Sequence, residues 1–103
     1  MSLEWSRHVT DPDGRDVAFD SGSHLHLAEG RHAWLLDHVD AILDAVERPD
    51  YREDDPLLGR ERFYRDYFPE SGRWLRVVVD FNSEPAWVVT ALDQQSDPRL
   101  RRR

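Results

Sequence analysis

Apolar and polar residues along this chain change their spacing several times, and each spacing predicts a different element. Glu4 to Val9 and Asp16 to Phe19 read as two short strands around Asp11-Pro12-Asp13-Gly14, a strong turn signal. From about Ala33 to Arg48 the period lengthens to that of a helix. Leu35, Val39, Ile42 and Val46 recur at spacings of 4, 3 and 4, and Leu36 and Leu43 widen the stripe. Asp37, Asp40, Asp44 and Glu47 line the opposite face, and Pro49 stops the helix. Tyr51 to Gly59 is acidic and contains a proline, so it reads as a loop. Three further strands are predicted at Arg62–Phe68, Trp74–Phe81 and Ala86–Leu92, joined by connections short enough to make them antiparallel neighbours. In the middle one, Leu75, Val77, Val79 and Phe81 share one face, and Trp74, Arg76, Val78 and Asp80 share the other.

The expected fold is therefore a single α+β domain over residues 1–98. An N-terminal β-hairpin precedes one long amphipathic helix, which packs on a three- to four-stranded antiparallel sheet. Leu75 to Phe81 and the helix stripe form its core. Arg99-Leu100-Arg101-Arg102-Arg103 reads as a disordered basic tail.

Composition narrows the functional classes. The chain has 103 residues, enough for one core, and no run of 18 apolar residues, so no bilayer-spanning segment is expected. A basic region followed by an apolar stretch is missing at the N-terminus, so no signal peptide is expected either, and a cytoplasmic location is the simplest reading. There is no cysteine, which removes disulfides and thiolate metal sites. All 14 basic residues are arginine, planar forks suited to phosphate or carboxylate. The net charge of −7 is uneven: residues 1–56 hold 14 acids against 5 arginines, residues 57–103 hold 7 against 9. Long-range attraction to nucleic acid is thereby excluded, DNA is not an expected partner, and any RNA contact has to fall on the arginine-bearing half.

Three of the five histidines fall within HLHLAEGRH, residues 24–32. His24-Leu25-His26 could begin a metal site with His32, Glu29 or Asp20, but the spacing matches no specific metal motif, and neither metal nor cofactor is expected. A histidine in a loop before a helix also suits acid–base chemistry near neutral pH. The plainer reading makes His32 and His38 surface residues and His24 a packing partner of Leu25 and Leu27. On the residues alone the plainer reading carries more weight. Further on, GRERFYR interleaves arginines with aromatics. Arg62 and Tyr64 share one strand face and could clamp a phosphate or stack on a base, while the alternative pairs these arginines with the acids of residues 52–55 and of the helix. Thr90 is the lone hydroxyl of its apolar strand.

Taken in order, the DPDGR turn, the HL-x-x-G stretch, the amphipathic helix ending at Pro49-Asp50, and then GRERFYR, WLRVVVDF and WVVTAL resemble the barnase–EndoU–colicin–RelE group of RNase-like folds. The nearest likeness is to its small phage and bacterial branch, over roughly residues 12 to 92. The resemblance implies metal-independent cleavage of RNA, in the manner of a toxin-type endoribonuclease. His26 falls at the family's histidine, Arg62 and Tyr64 at its first-strand pattern, Arg76 at W-L-[KR] and Thr90 at V-T-A. One departure is clear. Where many members enter the helix with His-Pro-Glu, this chain reads Arg31-His32-Ala33-Trp34, which leaves the second basic position to Arg31 or His32. The implied roles are proton transfer by His26 with His32 or Tyr64, phosphate binding by Arg62, Arg76 and Arg31, and orientation by Thr90. The implied partners are an RNA substrate and a cognate antitoxin or immunity protein. Net charge supports a different class: a catalytically inactive, acidic binding or immunity-type module on the same fold.

Overall fold

The computed structural model describes residues 6–20, 38–68, 73–95 and 97–100. Alternating residues in six stretches build one sheet from β1 (Ser6–Thr10), β2 (Asp16–Asp20), β3 (Tyr51–Asp54), β4 (Arg60–Phe68), β5 (Arg73–Asp80) and β6 (Ala86–Gln94). Their spatial order is β1-β2-β6-β5-β4-β3. Every neighbouring pair is antiparallel except β2 and β6, which run parallel with Val17 opposite Ala86 and Ala18 opposite Trp87. Among the described residues there is one α-helix, α1 (Val39–Glu47), which lies against one face of the sheet.

The core forms where that helix meets that face. Ile42, Leu43, Ala45 and Val46 pack against Val17, Phe19, Phe63, Leu75, Val77, Val79, Ala86, Val88 and Ala91. Burial of each large aliphatic or aromatic side chain here contributes about 1.5–3 kcal/mol before chain entropy is set against it. The helix stops at Glu47, two residues before Pro49, because the residue preceding a proline is driven out of the α region. Arg48 closes the end, its N–H bonding the Asp44 carbonyl at 2.8 Å and its Nε the Asp44 carboxylate at 2.9 Å.

The expected architecture needs correction. The described helix has nine residues instead of one long span from Ala33, and residues 33–37 lie outside the described set. The sheet has six strands, not three or four, and it is mixed. Two physical causes account for this. β3 is an edge strand with one partner, so Tyr-Arg-Glu-Asp needs no apolar alternation and reads as loop. The β1–β2 hairpin joins the sheet through a parallel contact between residues about 70 apart in sequence, which no local pattern encodes.

Among the described residues, two turns carry glycine at positive φ, and both are used structurally. Gly14 closes the predicted Asp11–Gly14 turn at φ +83°, its N–H bonding the Asp11 carbonyl at 3.0 Å. Gly59, also at φ +83°, sits where any Cβ would collide with the Asn82 amide. That contact ties the β3–β4 turn to the β5–β6 turn, with Phe81 N–H bonding the Gly59 carbonyl at 2.8 Å. The β5–β6 connection contains a cis Glu84–Pro85 bond.

Candidate functional site

The sheet face turned away from α1 carries the residues singled out on strands. Register places Tyr64 opposite Arg76 and Arg76 opposite Leu92; one step along, Arg62 lies opposite Val78 and Val78 opposite Thr90. Cross-strand partners share a face, so Arg62, Tyr64, Arg76 and Thr90 occupy one surface spread over β4, β5 and β6. A register shift between Val78 and Val79 leaves Val89 as the extra residue on β6 just beyond Thr90.

Their environments differ from the expected roles. Tyr64 is 0 % exposed, tilted against the Tyr51 ring at 5.7 Å, and its hydroxyl donates to Glu53 Oε2 at 2.5 Å. The hydroxyl is thus enclosed and its hydrogen is given to a carboxylate of the protein itself. Arg62 donates from Nε to Asp55 Oδ1 at 2.8 Å and lies 3.5 Å from Glu53 Oε2, so its charge is answered inside the protein. Burial works to raise the Asp55 carboxyl; the Leu57 N–H and the Arg62 guanidinium outweigh it and hold Asp55 below its ordinary range. Thr90 is half-buried. Arg76 is also half-buried, and its Nε is enclosed without a hydrogen-bond partner. His24, His26, His32 and Arg31 lie outside the described residues. Among the described residues no cluster of three or more histidine or acidic side chains could hold a metal ion.

Glu53 and Asp55 are among the acids of residues 52–55 that the alternative sequence reading paired with these arginines, and at Arg62 that alternative is what the structure shows. Both stand on or beside the edge strand read as a loop. The legible signal was charge complementarity, since Glu53 lies directly across from Arg62 and an acid facing an arginine favours strand pairing.

A second charged cluster occupies the helix side of the sheet. Asp11, whose side chain is 0 % exposed, accepts from Arg15 Nε at 2.8 Å and from the backbone N–H groups of Asp13 (3.1 Å) and Arg15 (2.8 Å). Arg15 reaches on to Glu61 at 2.7 Å, and Arg52 joins Asp13 at 2.7 Å and Glu61 at 3.1 Å. The two guanidinium groups cap an aromatic pair: Arg15 lies 3.7 Å from the Phe81 ring centre, and Arg52 lies 5.2 Å from that of Phe63. Phe63 and Phe81 are themselves 6.2 Å apart. Cation, ring, ring and cation are thus joined through Glu61, an arrangement that cation–π attraction reinforces.

The Arg15 guanidinium holds the Glu61 carboxyl below its ordinary value against the opposing effect of burial, and Arg52 adds to it. Arg52 lowers Asp13 in the same way, and the Asn82 N–H is the main group lowering Asp80. Folded values below the unfolded ones mean that these pairs stabilise fully above about pH 4.5, the ordinary glutamate value, and lose that contribution as pH falls through the folded values. The urea midpoint is therefore expected to stay level from pH 7 to 5 and to fall steadily from about pH 4.5 to 3. A midpoint unchanged at pH 3 would contradict the pairing.

Within and beyond these clusters, nine of the ten described arginines lie within 4 Å of a carboxylate. Arg76 is the exception. A cleft of about 490 Å³ lies beside Arg15, Phe81, Asn82 and Glu84, and none of the residues singled out from sequence lines it. Among the described residues no helix is long and apolar enough to cross a membrane. Compared with protein-family models, with curated proteins and with solved structures, the chain matches none.

Proposed function

We propose that this chain is a small acidic protein-binding module of the immunity type, without catalysis on its sheet face. The observation that supports this reading is the pairing of nine of ten described arginines with carboxylates. A phosphate-binding surface needs cations whose charge is not already answered, because the gain on binding comes from neutralising phosphate and releasing its counterions. Here the described arginines other than Arg76 are answered by carboxylates of the chain itself, and the net charge of −7 remains for a partner with a basic surface.

A metal-independent endoribonuclease remains the second reading. One observation favours it: Arg62, Tyr64, Arg76 and Thr90 share a sheet face. In that reading His26, with His32, moves the protons, and Arg31 assists at the phosphate. RNA degradation measured with and without EDTA separates the two. The binding-module reading expects no cleavage by the wild type under either condition, and no retention of RNA at about 0.15 M salt. Cleavage that persists in EDTA and disappears in His26→Ala would overturn it.

A further inference from the structure

Arg76 stands apart from every other described arginine. It lies on β5, fourth of six strands in the sheet, where a charged side chain is hardest to hydrate. Its neighbours on the same face are Tyr64 and Leu92 across the strands and Trp74 and Val78 two residues away along β5. Tyr64, Trp74 and Val78 are all buried. Arg52 also has an unpartnered buried Nε, but its Nη2 is bound to Asp13 and Glu61. Among the described residues Arg76 has neither an ion pair nor a partner for Nε. A buried donor left unmade is a standing cost, and a fold that keeps one has it satisfied by something else.

The geometry points to a carboxylate-binding site at Arg76, formed by its guanidinium with the Thr90 hydroxyl and the Leu92 side chain, diagonal and direct neighbours on β6. We infer that its occupant is a carboxylate of a protein partner, an acidic side chain or a chain terminus. The choice of a protein source rests on the binding-module reading above. The surroundings select a singly charged planar anion over phosphate. Glu53 and Asp55 stand on the same face beside Arg62, and a doubly charged group would meet their field, whereas a carboxylate matches the guanidinium fork with one charge. Apolar flanks lower the local dielectric and strengthen that single pairing. This role differs from the RNA-phosphate contact implied by the family resemblance.

Titration of the intact chain with sodium acetate, sodium phosphate and sodium chloride at matched ionic strength, followed by NMR of the Arg76 Nε–H and of the Thr90 and Leu92 amides, tests the site. Acetate is expected to shift these three resonances saturably, with phosphate at least several-fold weaker and chloride without effect; Arg76→Gln is expected to lose the response. Unchanged resonances in acetate, or the same shifts in Arg76→Gln, would overturn the site. Tighter binding of phosphate than acetate would overturn the carboxylate assignment. Thermal melting gives an independent arm: Arg76→Met is expected to melt at or above the wild-type temperature, since an unpaired charge is removed. A Tm several degrees lower would make Arg76 a structural group and overturn the proposal. RNA cleavage by the wild type bears on the binding-module reading alone, so the two failures are distinguishable.

Discussion

Phe63→Ala is expected to lower stability by about 3–5 kcal/mol, the usual cost of emptying an aromatic site in a packed core. Phe63 is fully buried and touches both halves of the interior, with the helix side chains on one flank and Phe81 at 6.2 Å on the other. Its loss removes more than packing. The Arg52 guanidinium lies 5.2 Å from its ring centre and has an Nε already enclosed without a partner, so the cavity opens beneath a charge. Domains of this size have a total stability of about 5–15 kcal/mol. Phe63→Ala therefore unfolds at a much lower urea concentration, or is largely unfolded in its absence. Phe63→Leu, which keeps most of the volume, is expected to cost under about 1.5 kcal/mol. Equal midpoints for the two variants would show that packing at Phe63 is not what holds the sheet to the helix.

Asp11→Ala is expected to cost about 2–4 kcal/mol. Removing one partner of a fully buried pair costs about 3–5 kcal/mol, and the estimate here is lower because Arg15 keeps Glu61 and is about a third exposed. Three donors lose their acceptor at once: the Asp13 N–H, the Arg15 N–H and the Arg15 Nε–H. In a domain near 100 residues each kcal/mol moves Tm by roughly 4–8 °C, so calorimetry should show a fall of at least about 8 °C. Asp11→Asn retains an oxygen for the turn and gives up the charge; its loss is expected to lie between wild type and alanine. A melting temperature for Asp11→Ala within a degree or two of wild type would mean that the turn closes without its carboxylate.

Both predictions depend on residues whose role was only partly visible in the sequence. Strand alternation alone assigns Leu75, Val77 and Val79 to the core and Arg62 with Tyr64 to the other face, and the structure agrees at each position. The DPDG turn and the Ile42–Val46 stripe were legible for the same reason: the signal is local and the period is short. Three things were not local. The β3 edge strand uses charge instead of apolar alternation. The parallel β2–β6 contact joins distant segments. The state of each arginine depends on which acid the sheet register brings across from it. The family resemblance rests on motif order, and motif order carries residue types without their hydrogen bonds. It could not reveal that Glu53 and Asp55 already hold Tyr64 and Arg62.

The parallel junction has a further consequence, for the path by which the chain assembles. β3 to β6 are successive hairpins whose contacts close early, because little chain must be ordered to make them. Among the described residues the β1–β2 hairpin pairs with this meander across two register pairs, Val17 with Ala86 and Ala18 with Trp87, and it is held as well by the buried side chains of Val17 and Phe19 and by the ion pairs of Arg15 with Glu61 and of Asp13 with Arg52. With so short a ladder, the hairpin is expected to dock after the meander and to open as a separate cooperative segment, which native-state amide exchange would show as lower protection in β1 and β2 than in β4 to β6. When it lifts, the backbone edge of β6 is uncovered, and the hairpin of a second copy has the register to occupy it. Exchange of that hairpin between copies is the misassembly to which this topology is most open.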